Sequence, residues 1–284
     1  MTRTWSFGLA SAAALLLSSA LAQEGSQGTA SVPDFSGFWG NPYLYGIEAP
    51  LSGPGPVVNK SRRRQTVDID GRRLPPANAP LVSSAIQLVG DYANPILQPW
   101  AADVVRKKGE LSLAGVTFQS PSNTCWPEPV PYLFKHMAMQ MLQLPDQIVM
   151  LFNENHEVRR VRMNQLHPAK LTPSWHGDAV GHYEGDTLIV DTIGIKTMDV
   201  VPLDRFGTPH TEKLHVVERI RKTNAKELRI DYRIEDPGAF TTPFDAVALF
   251  HPFKEWDEET CAENNVDQTG KLISGTPVDM SPAF

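Results

Sequence analysis

Between Met137 and Glu235 the sequence is a succession of short apolar stretches separated by tight-turn residues, and this rhythm constrains the fold more than any other feature. Side chains alternate across a strand, so apolar residues at every second position describe a sheet with one dry face. Leu228 to Ile234 shows the split most clearly: Leu228, Ile230, Tyr232 and Ile234 share one face, and Arg229, Asp231 and Arg233 the other. Ala179 to Glu184 and Thr187 to Ile193 read as a hairpin about Glu184-Gly185-Asp186. Leu214 to Arg221 pairs with Leu228 to Ile234 through Thr223-Asn224-Ala225. Gln147 to Phe152 reads as a strand buried on both sides, turned back by Asn153-Glu154-Asn155-His156 into Glu157 to Met163. A last pair follows Pro243 and ends at Cys261.

With the short N-terminal segment Gly37-Phe38-Trp39 the count reaches about nine or ten strands. At that number a meander curls or closes, because closure removes exposed edges. The expected fold is therefore mainly β: an antiparallel meander closing into a barrel or strongly curved sheet, with one or two helices. Such an interior has room for one small ligand.

The 284 residues are enough for one sizeable core. Arg3, an apolar run through Leu15-Leu16-Leu17, and Ala20-Leu21-Ala22 follow the order of a cleavable secretory signal, and the run is too short to span a bilayer. Residues 1–22 are predicted to be a signal peptide and 23–284 a single domain, periplasmic or secreted, with no membrane span. Residues 41–80, rich in Pro and Gly, read as a surface excursion. A helix is expected from Pro99 to Gly109, with Trp100, Val104 and Val105 toward the sheet and Gly109 as its stop.

A formal net charge of −6 gives no general reason to expect nucleic acid as a partner. The local basic stretch Lys60-Ser61-Arg62-Arg63-Arg64, with Arg72-Arg73, is either an anion or membrane-surface patch or a solvated loop. Cys125 and Cys261 are the two cysteines, and in an exported chain such a pair reads as a disulfide. A loop of that length would stabilise by roughly 3 to 5 kcal/mol on the chain-entropy model.

Parity also tells which charges point inward. Glu218 falls on the face of Leu214, Val216 and Ile220, and Arg159 shares the parity of Val161 and Met163. Buried singly, each ion loses several kcal/mol of hydration; together, a two-pronged contact largely replaces it. Arg159 and Glu218 are predicted to meet, either as a pair that fixes register or as one that orients a ligand.

His156 sits at a hairpin tip, His167 and His176 flank Pro168 to Trp175, His182 lies in a strand, and His210 precedes Thr211-Glu212. Asp191, in the strand facing His182, offers a carboxylate to orient an imidazole for acid–base work. Trp39, Met139, His167, Trp175, His176, His210 and Tyr232 are the candidate ligand-lining residues. Met137, Met139 and Met141 alternate along one face, as a deformable ligand surface or as ordinary core filling. There is no His-Glu-x-x-His or cysteine cluster, and no Gly-x-Ser-x-Gly, phosphate loop or dinucleotide fingerprint. Metal, nucleotide, nicotinamide and serine-hydrolase chemistry are disfavoured, and no cofactor is expected.

Several of these residues fall in motifs: Pro33 to Trp39 as Pro-Asp-x-Ser-Gly-x-Trp, Cys125 to Pro127 as Cys-x-Pro, and Asn155 to Arg160 as Asn-His-x-x-Arg-Arg. Further along come His167-Pro168, Trp175-x-Gly177, Glu184 to Leu188 as Glu-Gly-Asp-Thr-Leu, Pro209-His210, Val216 to Arg219, and Glu235-Asp236-Pro237. In combination, over most of the chain after residue 22, they resemble a family of uncharacterised exported bacterial proteins. Met163 to Leu166 stands where that family has an acidic-glycine-basic turn, and Gly181-His182-Tyr183 where Gly-Arg-Trp is commoner. The Gly37-Phe38-Trp39 start before a meander also resembles the lipocalin and calycin barrels, which implies a cavity for a hydrophobic ligand.

The expected function is an exported, cofactor-independent enzyme performing isomerisation, elimination or hydrolysis on a small, partly apolar molecule. Arg159, Glu218, His156, His182 and Asp191 would be its reacting groups. The alternative is a periplasmic binding protein for a small hydrophobic or aromatic ligand. A third reading is a scaffold that uses the Pro-rich excursion for contact.

Overall fold

The predicted strands close into a ring. The computed structural model describes residues 32–41, 46–64, 81–83, 88–114, 118, 120–135, 138–198, 201–254 and 256. In chain order the elements are β1 (Gly37–Gly40), β2 (Arg62–Arg64), β3 (Leu81–Ser83), α1 (Pro99–Leu113), α2 (Pro121–Thr124) and a 3-10 turn at Tyr132–Lys135. Then follow β4 (Ala138–Gln143), β5 (Gln147–Phe152), β6 (Val158–Met163), β7 (Asp178–Glu184), β8 (Thr187–Ile193), β9 (His215–Asn224), β10 (Glu227–Glu235) and β11 (Phe244–Pro252). The barrel order is β1-β11-β10-β9-β8-β7-β6-β5-β4, and β1 pairs with both β4 and β11 to close it. β2 and β3 form a separate two-stranded ribbon. This is a calycin-like barrel, as the strand count led one to expect.

Nine strands are an odd number, so the ring cannot alternate direction all the way round. One neighbouring pair has to run parallel. It is β6 and β7, joined in register only at Arg162↔Val180 and Met163↔Gly181. A parallel pair needs a connection long enough to return to the starting end. Residues 164–177 provide it, and they carry His167, Trp175 and His176.

Alternating burial follows the predicted parity. In β10, Leu228, Ile230, Tyr232 and Ile234 are buried and their neighbours are at least partly exposed. β5 departs from expectation: Ile148, Met150 and Phe152 are buried, but Gln147, Val149 and Leu151 are half-exposed. The outward face of the strand therefore keeps partial contact with water. The helix also differs. It continues past Gly109 to Leu113, because Gly109 lies against Val89, where a Cβ would come within 3.1 Å of Val89 Cγ1. Trp100 is 45% exposed rather than packed on the sheet, though its Nε1–H donates to Gly238 O at 2.8 Å. After Pro243 comes β11, and most of the second strand expected before Cys261 lies outside the described residues.

The core fills the barrel. Phe134, on the 3-10 turn, makes ring contacts with Phe152 at 5.9 Å, Tyr232 at 5.8 Å and Phe250 at 6.2 Å. Met139, Met141 and Met150 are fully buried around it. Trp39 is also buried; its Nε1–H donates to Phe35 O at 2.9 Å and Lys222 Nζ lies 5.3 Å from its ring centroid. The expected signal segment, Met137, and residues 65–80 of the excursion lie outside the described residues. Among the described residues no helix is long and apolar enough to cross a membrane.

Candidate functional site

Arg159 and Glu218 meet in the barrel interior. Arg159 Nη1 donates to Glu218 Oε1 at 2.8 Å, and Nη2 donates to Glu218 Oε2. Nη2 also donates to Thr192 Oγ1 at 2.9 Å, and the guanidinium carbon sits 5.5 Å from the Phe134 ring centroid. Both ions are 0% exposed. Tyr232 is the direct cross-strand partner of Glu218. Burial, then the Glu218 charge, pushes the Tyr232 hydroxyl well above the usual phenol range. Both carboxylate oxygens of Glu218 are engaged by the guanidinium, and aromatic rings close over it. That arrangement suits a pair that fixes the position of β6 against β9.

A histidine–carboxylate contact lies where β6 and β7 begin. Glu157 immediately precedes β6, and its two oxygens accept the Glu128 backbone N–H at 3.0 and 3.1 Å. His176 Nε2 lies 2.7 Å from Glu157 Oε2. An ionised carboxylate only accepts, so the network assigns the proton to Nε2 and leaves the Nδ1 lone pair available as a base. Nδ1 has no hydrogen-bond partner among the described residues. The His176 side chain is 18% exposed and that of Glu157 4%, so the ring keeps some contact with solvent and the carboxylate is nearly dry.

The turn carrying His176 is tightly held. Ser174 N–H donates to Gly194 O at 3.1 Å, and Lys196 N–H donates to Ser174 O at 2.8 Å. Gly177 has φ +69°, and a Cβ there would lie 2.7 Å from Ile193 O, so only glycine fits the step into β7. Trp175 packs against Trp126 with centroids 5.7 Å apart and ring planes at 52°. Lys196 Nζ stands 4.6 Å from the Trp175 centroid.

Behind this contact Glu128 is fully buried and forms an ion pair with Lys135 at 3.0 Å, while Ser122 Oγ donates to Glu128 Oε1 at 2.7 Å. Burial alone works against the Lys135 ammonium, but Glu128 and Tyr132 hold its pKa above the ordinary value. The Tyr132 hydroxyl is pushed up to about 12, by burial first and then by Glu128. Glu128, Lys135, Glu157 and Tyr132 were not among the sequence-derived site residues. Glu157 carried one signal, its place directly after the predicted turn; Glu128 carried none beyond the rigid Cys-Trp-Pro-Glu-Pro run.

His167, Asp178, Asp191 and His215 form a network on the outer wall. His167 Nδ1 lies 2.7 Å from Asp178 Oδ2 and its Nε2 3.1 Å from Asp191 Oδ1. His215 Nε2 lies 3.0 Å from the same Asp191 oxygen, and Arg162 reaches Asp178 at 2.8 and 2.9 Å. This chain of contacts laces β6, β7, β8, β9 and the connecting loop across the parallel seam.

The expected His182–Asp191 contact is corrected. His182 stands opposite Ile189 in register and faces Glu184 Oε1 at 3.2 Å, while Asp191 serves His167 and His215. His156 occupies its turn at φ 52° and is exposed. His210 is 5% exposed, with Nδ1 3.2 Å from Thr211 O, and burial lowers its pKa. Of the predicted ligand-lining residues, Trp39, Met139 and Tyr232 are core, and Trp175 and His176 come together. Two grooves lie elsewhere: one of about 540 Å³ bordered by Pro54, Pro56, Val58, Asn94 and Ile96, and one of about 180 Å³ beside Glu235 to Pro243. Among the described residues no group of acidic, His or Cys side chains could hold a metal ion. No cysteine among the described residues is free, and Cys261 lies outside them.

No protein-family model matches the chain, and no curated protein matches it.

Proposed function

We propose that this is an exported enzyme performing non-redox acid–base chemistry on a small, partly apolar molecule, with His176 as the proton carrier and Glu157 as the group that orients it. The observation that carries the reading is the 2.7 Å contact between His176 Nε2 and a Glu157 carboxylate whose two oxygens share one backbone N–H, with Nδ1 lacking a hydrogen-bond partner among the described residues. A positioned base of this kind contributes typically about 10²- to 10⁴-fold to a proton-transfer step. Isomerisation, elimination and hydrolysis all fit. Arg159 and Glu218 hold the barrel together rather than react, since each is fully buried and both Glu218 oxygens are held by the guanidinium. The substrate sits beside Trp126 and Trp175 rather than in the side-chain-filled centre. Export by a signal at residues 1–22, a Cys125–Cys261 disulfide, and kinship with the exported bacterial family are part of the same proposal.

The second reading is a binding protein, favoured by the aromatic pair at the same place. Native mass spectrometry of protein purified from its own host would reveal a retained small molecule. With that compound in hand, His176→Ala should abolish turnover while leaving affinity within about tenfold. Equal loss of both would favour binding over catalysis.

A further inference from the structure

We infer that the molecule taken at this mouth is a planar organic anion, an aromatic or conjugated carboxylate or phenolate, whose charged end is received by Lys196 and whose ring lies against Trp126 and Trp175. The inference names a substrate class for the His176–Glu157 site and so rests on that reading.

Three cations placed on aromatic rings in this chain also have an acid beside them. Lys60 lies over Tyr92 and has Asp91; Lys135 lies over Tyr132 and has Glu128 and Glu154; Arg159 lies over Phe134 and has Glu218. Lys222 over Trp39, at 5.3 Å, and Lys196 over Trp175, at 4.6 Å, have no carboxylate ion pair among the described residues, and Lys196 lies closer to its ring than any of the cations named here. An ammonium over an indole face is partly desolvated yet keeps N–H donors directed away from the ring. Such a group favours an incoming anion and repels a cation.

Its position is fixed rather than incidental. Ile195 and Ser174 form a parallel bridge, and the Lys196 backbone N–H bonds Ser174 O at 2.8 Å, so Lys196 is tied to the turn that carries Trp175 and His176. Glu157, the acid that His176 of that turn contacts, is committed to His176 and to the Glu128 backbone. Both indoles are half-buried and inclined to each other, which offers flat apolar surface suited to a ring.

The test uses benzoate, benzyl alcohol and benzylammonium as probes on the full-length protein, with binding followed by titration calorimetry and by saturation-transfer NMR. Benzoate should bind saturably, benzyl alcohol about tenfold more weakly, and benzylammonium not at all. Lys196→Met, which keeps the apolar stem, should remove the preference for benzoate over benzyl alcohol, with unchanged circular dichroism. His176→Ala should leave benzoate binding within about threefold. Absence of benzoate binding, or a Lys196→Met protein that keeps the full preference, overturns the inference. A charge preference that survives while His176→Ala still turns over the compound retained from the host, assayed separately, would count against the acid–base reading alone.

Discussion

Arg159 and Glu218 join strands that are not neighbours: β6 and β9 are separated in the ring by β7 and β8, and the two-pronged contact spans the interior between them. Thr192 on β8 adds a third point at 2.9 Å. A bond of this kind fixes the registers of several strands at once, because a one-residue slip of either strand would turn its ion outward.

Glu218→Gln should destabilise the protein by about 3–5 kcal/mol, since it leaves a fully buried guanidinium without its counter-charge. Arg159→Met combined with Glu218→Leu should recover most of that loss. Urea unfolding measures both. A single substitution costing under about 1 kcal/mol would mean the pair is hydrated in solution.

Phe134→Ala should cost about 3–5 kcal/mol, because the ring touches Phe152, Tyr232 and Phe250 and caps the Arg159 guanidinium. The vacated volume would lie in the barrel centre. The check is the denaturation midpoint with an unchanged slope, together with xenon or benzene uptake by the variant and not by the parent protein.

The Asp191–His215 pair predicts a modest pH dependence. The bond to His215 holds Asp191 below the usual carboxylate range, and the same bond raises His215 above the usual imidazole range. The Asp191 contribution is present above its unfolded pKa and lost as pH falls through the folded value. The His215 contribution is full below its unfolded pKa and lost as pH rises through the folded value. Both are therefore complete between about pH 4 and 6.5. Each side chain is more than a third exposed, so solvent screening keeps the effect small. His210, whose pKa burial lowers, acts in the opposite sense as pH falls. The measurement is thus the difference between the parent and His215→Gln stability curves, which should be largest in that window and shrink above it; a flat difference contradicts the assignment.

Gly177→Ala should destabilise by about 1–3 kcal/mol, from the left-handed backbone at φ +69° and from a Cβ only 2.7 Å from Ile193 O. The strain falls on the turn that presents His176. Proton NMR of the His176 ring should report a changed environment even under conditions where the variant stays folded.

Some of this was legible from residues alone. The inward turn of Arg159 and Glu218 followed from counting parity along β6 and β9, which needs nothing beyond the strand itself. The hairpin at Glu184-Gly185-Asp186 followed from turn chemistry. The pairing of His182 with Asp191 did not hold, because register sets them two positions apart along the sheet and two other histidines reach Asp191 from elsewhere in the chain. Nothing local to Gly109 distinguishes a helix stop from a helix packed against Val89.

Strand periodicity and turn residues determined that this chain forms a β barrel with one acid and one base inside, since a two-residue repeat records its own buried face. Tertiary structure alone decided that Phe134 plugs that interior and that His176 meets Glu157. Both depend on where loops land after closure. An odd ring must contain one parallel seam, and the long connection across that seam brings residues together that no spacing in the sequence reveals.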